Sequence, residues 1–339
     1  MKALTRTLTA VAAAALYTAL QCVPASATGD VSMRCAPFGS IIYVVGNAVQ
    51  DLAQKNNLPF KVVNGEGPGS TAVTRNMLAI PEWKTVVGCT SVLDLVYARR
   101  GTKPFFETAD PDVGSKVKIL FNAFYGAVGI LTLDPNLKTL DDLNGKRLAL
   151  GKISQAHWGG LPILFLETGA PNVKPKMEYL GPAQSHDALA EGRADAVVTQ
   201  LTVLPDGSKT FLPGVVSKLL GLGKPVYMIG FDDAQFAAAQ KAGVDFKPIK
   251  INKASFPQIA SDKEVNFIFA PAALSVNKDF PEDVAYAITK LVIANAGSLP
   301  TYAAMLKVVA TPAALLGNWT EKDLHPGAAR AFREAGVLK

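Results

Sequence analysis

Only three cysteines and three histidines occur in 339 residues. Their spacing matches no zinc-ligand pattern, so no metal site is expected. Charged side chains make up 18% of the chain, below the usual quarter, and aromatics only 8%. No run of Lys or Arg of the kind that coats phosphates is present, which excludes nucleic acid as an expected partner. Past residue 27 no apolar stretch is long enough to span a bilayer. There is no Gly-x-Ser-x-Gly nucleophile elbow. Gly65-x-Gly67-x-Gly69 has the wrong spacing for a dinucleotide fingerprint, and Gly223-Lys224 runs into Pro225 where a phosphate loop needs Ser or Thr. The pairs Asp141-Asp142 and Asp232-Asp233 fall in polar turns rather than in a glycosidase arrangement. No cofactor is expected.

What is present is a well-packed chain, 49% apolar, long enough for two ordinary domains. Residues 1–27 read as a secretory leader. Lys2 and Arg6 form its positive start, residues 8–20 its apolar centre, and Ala25-Ser26-Ala27 a small-x-small cleavage site, with cleavage after Ala27. Two of the six excess positive charges lie in that leader, so the remainder is only mildly basic. An exported, periplasmic protein is expected. In an oxidising compartment Cys35 and Cys89 could pair, or could remain two buried thiols, since spacing alone does not fix their distance.

Short β-rich runs alternate with helical stretches, which predicts parallel sheets covered on both faces. Strands are expected at 31–36, 60–64 and 85–89, with helices at 42–56 and from Ser70 to about Ala79. A second unit repeats the pattern, with strands at 147–151 and 195–199 and helices near 161–168 and 186–191. Gly192 suits a helix C-cap. Between the units, 117–121 and 128–133 are β-rich on either side of Asn122-Ala123-Phe124-Tyr125-Gly126. Near the other end, 265–269 and 274–276 flank Ala270-Pro271. These passages are read as paired crossings between two lobes. Pro281 is expected to open a helix through Ala294 with Asp279 as N-cap. Residues 301–339 read as helical, punctuated at Pro312 and Pro326.

Ligands of open parallel sheets sit beyond the carboxyl ends of the strands. The candidate positions are therefore the loops after the strands. Gly69 permits close backbone approach. Ser70 and Thr71 stand at a helix start, where free N–H groups favour an anion or simply complete a cap. Thr90 and Ser91 mark a second strand-to-helix junction, and Tyr43 begins the first helix. Tyr125 lies in the first crossing. In the second unit Ser154, Gln155, His157 and Trp158 share one loop rich in hydrogen-bonding and stacking groups. Gln200 ends a strand at the same level.

Several segments carry a family resemblance. They are Ile42-Tyr43-Val44-Val45-Gly46-Asn47-Ala48, Gly69-Ser70 with Asn76-Met77-Leu78, and Leu140-Asp141-Asp142-Leu143-Asn144-Gly145-Lys146-Arg147. Two more are Ala188-Leu189-Ala190-Glu191-Gly192-Arg193-Ala194-Asp195-Ala196 and His325-Pro326-Gly327-Ala328, continuing to Phe332-Arg333-Glu334-Ala335-Gly336. In this order, behind a leader, they resemble the TAXI family, the TRAP-associated extracytoplasmic immunogenic proteins that serve TRAP transporters as solute-binding components. The resemblance implies an α/β, two-lobed periplasmic-binding-protein-like fold of type II with two crossing hinge segments. Lobe I would span 28–125, with 275–339 returning to it as helices, and lobe II would span 126–274.

It also implies capture of a small organic anion, such as an amino acid or another carboxylate, and its delivery to a TRAP-type membrane permease; a monomer is the default expectation. Tyr43, Gly69, Ser70, Thr71 and Thr90 are carried over on matching motifs. Where the family has a Ser-Gly-Thr element, this chain has Gln155-Ala156-His157-Trp158. That substitution points to an acid with an aromatic or apolar portion, its carboxylate near Ser70 and Thr71. The rival readings are an exported α/β hydrolase using Ser154 and His157, or a binding protein serving an ATP-driven transporter or a sensor.

Overall fold

The structure is a computed structural model that describes residues 29–339 except Pro37, Gly39, Pro104 and Ser154. The leader and Ser154 therefore lie outside the described residues. The first half runs β1 (Val31–Arg34), α1 (Ile41–Lys55), β2 (Val62–Gly65), α2 (Ser70–Ala79), β3 (Gly88–Ser91), α3 (Val92–Arg100), α4 (Val113–Lys116) and β4 (Val117–Thr132). The second half comprises β5 (Arg147–Leu150), α5 (Leu161–Gly169), β6 (Lys176–Tyr179), α6 (Pro182–Ala190), β7 (Ala196–Val203) and β8 (Thr210–Phe211). It continues through α7 (Gly214–Leu220), β9 (Tyr227–Ile229), α8 (Asp233–Lys241), β10 (Lys247–Ile251) and β11 (Val265–Asn277). The chain returns through α9 (Glu282–Ala294), α10 (Pro312–Leu316) and α11 (Pro326–Glu334).

Two long strands tie the halves together. β4 is 16 residues of nearly unbroken apolar sequence, as a strand buried on both faces requires. Its first part pairs antiparallel with β11, and its last part pairs with β7 and β9. β11 pairs with β10 through Val265–Phe269 and with β3 through Ala272–Ser275. The expected breaks at 122–126 and 270–271 are thus not breaks. They are the places where each strand changes neighbours. Pro271, which has no N–H to give, falls between the segments that β10 and β3 occupy on β11. Gly126 lets the strands close up there, since a Cβ at that position would lie 2.7 Å from the Ala270 carbonyl oxygen.

Parallel pairing joins β1 with β2, and β5 with both β6 and β7, while β8 runs antiparallel to β7. A parallel bridge between Met33 and Val87 joins β1 to the approach of β3. The sheets are therefore mixed rather than wholly parallel, because the crossing strands run against their neighbours. The arrangement is a mixed α/β, two-lobed fold with two crossing segments.

The C-terminal helices dock on the first half. The His325 backbone N–H donates to Ile119 of β4, and the His325 Nδ1 accepts from Gly327 N as the cap of α11. Pro312 and Pro326 begin helices instead of ending them, at the first-turn position proline tolerates. Asp279 does not cap α9. Pro281 stands at that position, and the Asp279 carboxylate is held by Lys84 and Lys278, which keep its pKa down at about 2.

α11 lies hard against α9 at Gly327. A Cβ there would meet the Tyr286 nitrogen at 2.7 Å and come closer still to the Glu282 carbonyl. Alanine is the better helix former, but the helix backbone opposite cannot give way as a side chain would. Gly327→Ala is expected to destabilise the protein by about 1–3 kcal/mol in spite of its propensity gain. Differential scanning calorimetry would show it, and an unchanged or raised midpoint would refute this packing argument.

Candidate functional site

The carboxyl ends of β1, β2 and β3 come together at one edge of the first half. Cys35 and Cys89 are disulfide-bonded, with a Cα–Cα distance of 5.3 Å, which ties the end of β1 to β3. The loop after β2 lies along Cys35. Gly69 N donates to the Cys35 carbonyl at 2.9 Å, and Gly67 has no room for a Cβ, which would sit 2.5 Å from the Cys35 backbone. Gly69 has φ of 99°, in the region that favours glycine, and this turn starts α2 at Ser70.

At the starts of α2 and α3 the side chains converge on one group that the motif reading did not single out. Asp94 is fully buried. Its Oδ1 accepts from Thr71 Oγ1 at 2.6 Å. Its Oδ2 accepts from Ser91 Oγ at 2.7 Å and from Ser91 N at 2.8 Å, and Ser70 also hydrogen-bonds the carboxylate. Burial pushes the Asp94 carboxyl up from its ordinary pKa, while these donors pull it back down. Thr74 Oγ1 donates to Thr90 Oγ1 at 2.9 Å beside this web. The place that the sequence reading reserves for a ligand carboxylate, next to Ser70 and Thr71, thus faces a carboxylate of the chain itself. The signal lay in Ser91-Val92-Leu93-Asp94, which has capping-box spacing.

The facing rim is the loop after β5. Residues Ala156–Gly160 form a π-helical turn leading into α5. Gln155 organises it. Its Oε1 accepts from Lys152 N at 3.0 Å, and its carbonyl accepts from the N–H groups of Trp158, Gly159 and Gly160. His157 is 8% exposed, edge-on to Phe124 of β4 at 5.5 Å, and its Nε2 has no partner among the described residues. Burial pushes its pKa down to about 4, so the ring is neutral near pH 7. Trp158 is half-buried, set edge-to-face on His186 at 5.9 Å within its own half. Gln200 is buried on β7 opposite Val128, and its side chain makes no hydrogen bond among the described residues.

Among the described residues a single hydrogen bond connects the rims. Tyr97, on α3 and stacked on Phe105, donates its hydroxyl to the Gly160 carbonyl at 2.8 Å. Burial raises its pKa, and the nearby Asp94 adds to the effect. Asp94 and Tyr97 are three apart on α3 and so share one face.

Two of the sequence candidates are engaged elsewhere. Tyr125 stacks on Phe269 and donates its hydroxyl to Ala314 of α10 at 2.9 Å. Tyr43 gives its N–H to Ser40 Oγ at 3.3 Å and sets its ring against Phe38. A hollow of about 380 Å³ lined by Asp134, Lys146, Arg147, Glu191 and Lys224 lies around the Arg147–Asp195 pair and shares no residue with the rims. Among the described residues no Lys or Arg is buried, and no cluster of His, Cys, Asp and Glu could hold a metal ion. No described helix is long and apolar enough to cross a membrane.

Residues 33–336 match the NMT1-like family. The chain belongs to this family. Comparison with curated protein sequences gives no match. Among solved structures, MatC from Rhodopseudomonas palustris with bound malate is 15% identical, with a TM-score of 0.52 over 90% of this chain and 96% of that one. Rpa4515 from R. palustris with adipate is 13% identical, with a TM-score of 0.52 over 91% and 96%. A structure described as a periplasmic transporter is 14% identical, with a TM-score of 0.51 over 92% and 96%. This NMT1-like chain therefore shares its fold with these three structures.

Proposed function

We propose that the chain is the extracytoplasmic solute-binding subunit of a TRAP-type transporter of the TAXI kind. It captures a small organic carboxylate between its lobes and passes it to a membrane permease. Lobe I comprises 28–125 with 275–339, lobe II comprises 126–274, and the protein acts as a periplasmic monomer after cleavage at Ala27. The observation that carries the reading is the meeting of two polar rims at the junction of the crossing strands, with Tyr97 bonded to Gly160 and the His157 Nε2 buried without a partner among the described residues. A buried polar atom without a hydrogen bond is costly, and a ligand that supplies the bond recovers that cost. The fold shared with proteins that hold malate and adipate supports an organic acid as the solute.

Closure follows from differential contact. A ligand that touches both rims stabilises the form in which they meet. Among the described residues no Lys or Arg is buried, so this reading assigns the ligand's charge to neutral donors. Calorimetric titration with a panel of mono- and dicarboxylates is expected to give saturable binding that salt weakens little. Solution scattering is expected to show a smaller radius of gyration at saturation. Chemical turnover of a bound acid would favour the exported hydrolase. Absence of binding across the panel would remove the organic-acid reading.

A further inference from the structure

A hydroxyl carries one proton, so a hydroxyl that donates to a neighbour has only lone pairs left for anything else. At the lobe I rim those protons are committed inward. Thr71 and Ser91 give theirs to Asp94 at 2.6 and 2.7 Å, and Ser70 also bonds to it. Thr74 gives its proton to Thr90, and Thr90 turns its own toward the Ser91 carbonyl at 3.4 Å. The Ser91 backbone N–H can only donate, which fixes Oδ2 of Asp94 as an acceptor. Among the described residues no cationic side chain bonds to Asp94. One turn along the same helix, Tyr97 reaches the π-turn that holds His157, a residue more than nine-tenths buried whose Nε2 has no partner among the described residues.

We infer that Asp94 is a specificity-determining residue that makes the lobe I rim a hydrogen-bond acceptor. The ligand must present an N–H or O–H donor to Ser70, Thr71 and Ser91, with its carboxylate turned toward His157 and Gln200 of lobe II. This reverses the orientation expected from the helix start alone. It rests on the solute-binding reading above. Asp94 acts through the hydroxyls it holds, so it is a positioning residue and need not touch the ligand.

The test uses two matched series in calorimetric titration of the full mature protein: succinate, malate and aspartate, and 3-phenylpropionate, 3-phenyllactate and phenylalanine. Within each series only the group on the second carbon changes, from hydrogen to hydroxyl to ammonium. The donor-bearing members are expected to bind about tenfold or more tightly than the plain acid in at least one series. In Asp94→Asn the new amide donates to Thr71 Oγ1 and turns that hydroxyl's proton outward, so the preference is expected to vanish or invert. Ser70→Ala, which leaves the buried web largely in place, is expected to weaken the donor-bearing members alone, and it serves if the Asp94 variant does not fold. A plain acid that binds as tightly as its donor-bearing partners overturns the inference and leaves the solute-binding reading standing. So does an Asp94→Asn variant that weakens every member equally with the preference intact. If folded protein binds neither series, this inference and the organic-acid reading fall together.

Discussion

Removing the Cys35–Cys89 bond, by reduction or by replacing both residues with alanine, is expected to lower the thermal midpoint by on the order of 10 °C. The two cysteines are 54 residues apart. Cross-linking a loop of that length restricts the unfolded chain by about 4 kcal/mol in the chain-entropy treatment. In a chain of this size each kcal/mol moves the midpoint by roughly 2–4 °C. Both residues are buried, so reduction also leaves two thiols in contact inside the first core. The site is expected to weaken with the fold. Cys35 accepts the Gly69 N–H that sets the start of α2, and Cys89 immediately precedes Thr90 and Ser91. Calorimetry of oxidised and fully reduced protein, with thiols counted in each, checks the first effect, and titration of a bound acid checks the second. A midpoint that does not move after complete reduction would mean that the bond restrains nothing the fold does not already restrain.

The same bond shows what the sequence could and could not convey. Both cysteines follow apolar runs, which marked them as strand ends, but whether those strands adjoin depends on the Met33–Val87 bridge, a long-range pairing that spacing does not encode. The strand-to-helix junctions were legible because each carries its own local chemistry: Gly69 before α2, and Ser91 as the cap of α3. The crossing strands were half legible. Their apolar content showed, but Gly126 and Ala270-Pro271 read as interruptions, since their function is to let a strand change partners. Asp94 was the larger omission. Its Thr71 partner is 23 residues away, and a lone aspartate in a helix is ordinary until that partner is known.

Some of the segments that carry the family resemblance are framework rather than site. Arg147 ends one and Asp195 lies in another, and the two form a bidentate pair across β5 and β7, with Arg147 holding the Asp195 carboxyl below its usual pKa. His325 and Gly327 fix α11 to β4 and α9. Such residues identify the scaffold well and say little about the ligand, because function sits in loops grafted on a shared fold. The residues in which this chain departs from the TAXI pattern that its sequence resembles, Gln155 to Trp158, include the buried His157, whose Nε2 has no partner among the described residues. The departure is thus the more informative part for function.

That histidine and its neighbour make the protein acid-sensitive. Burial pushes the pKa of both His157 and His186 down to about 4, whereas an unfolded histidine titrates near 6.5. Between those values the unfolded chain takes up protons that the fold refuses. Stability is therefore fully present above pH 6.5 and falls as pH drops toward 4, by about 3 kcal/mol for each of the two. His325 is shifted in the same direction by burial. Asp94 works against them, since a carboxyl raised by burial favours the fold more as pH falls. The raw pH profile mixes these opposing contributions, and substitution separates them. His157→Gln and His186→Gln cannot take up the proton, so the stability difference between wild type and each variant is expected to shift by about 3 kcal/mol in the variant's favour between pH 7 and pH 4. Denaturant midpoints at a series of pH values measure it, and profiles that run parallel for wild type and variants would refute the assignment.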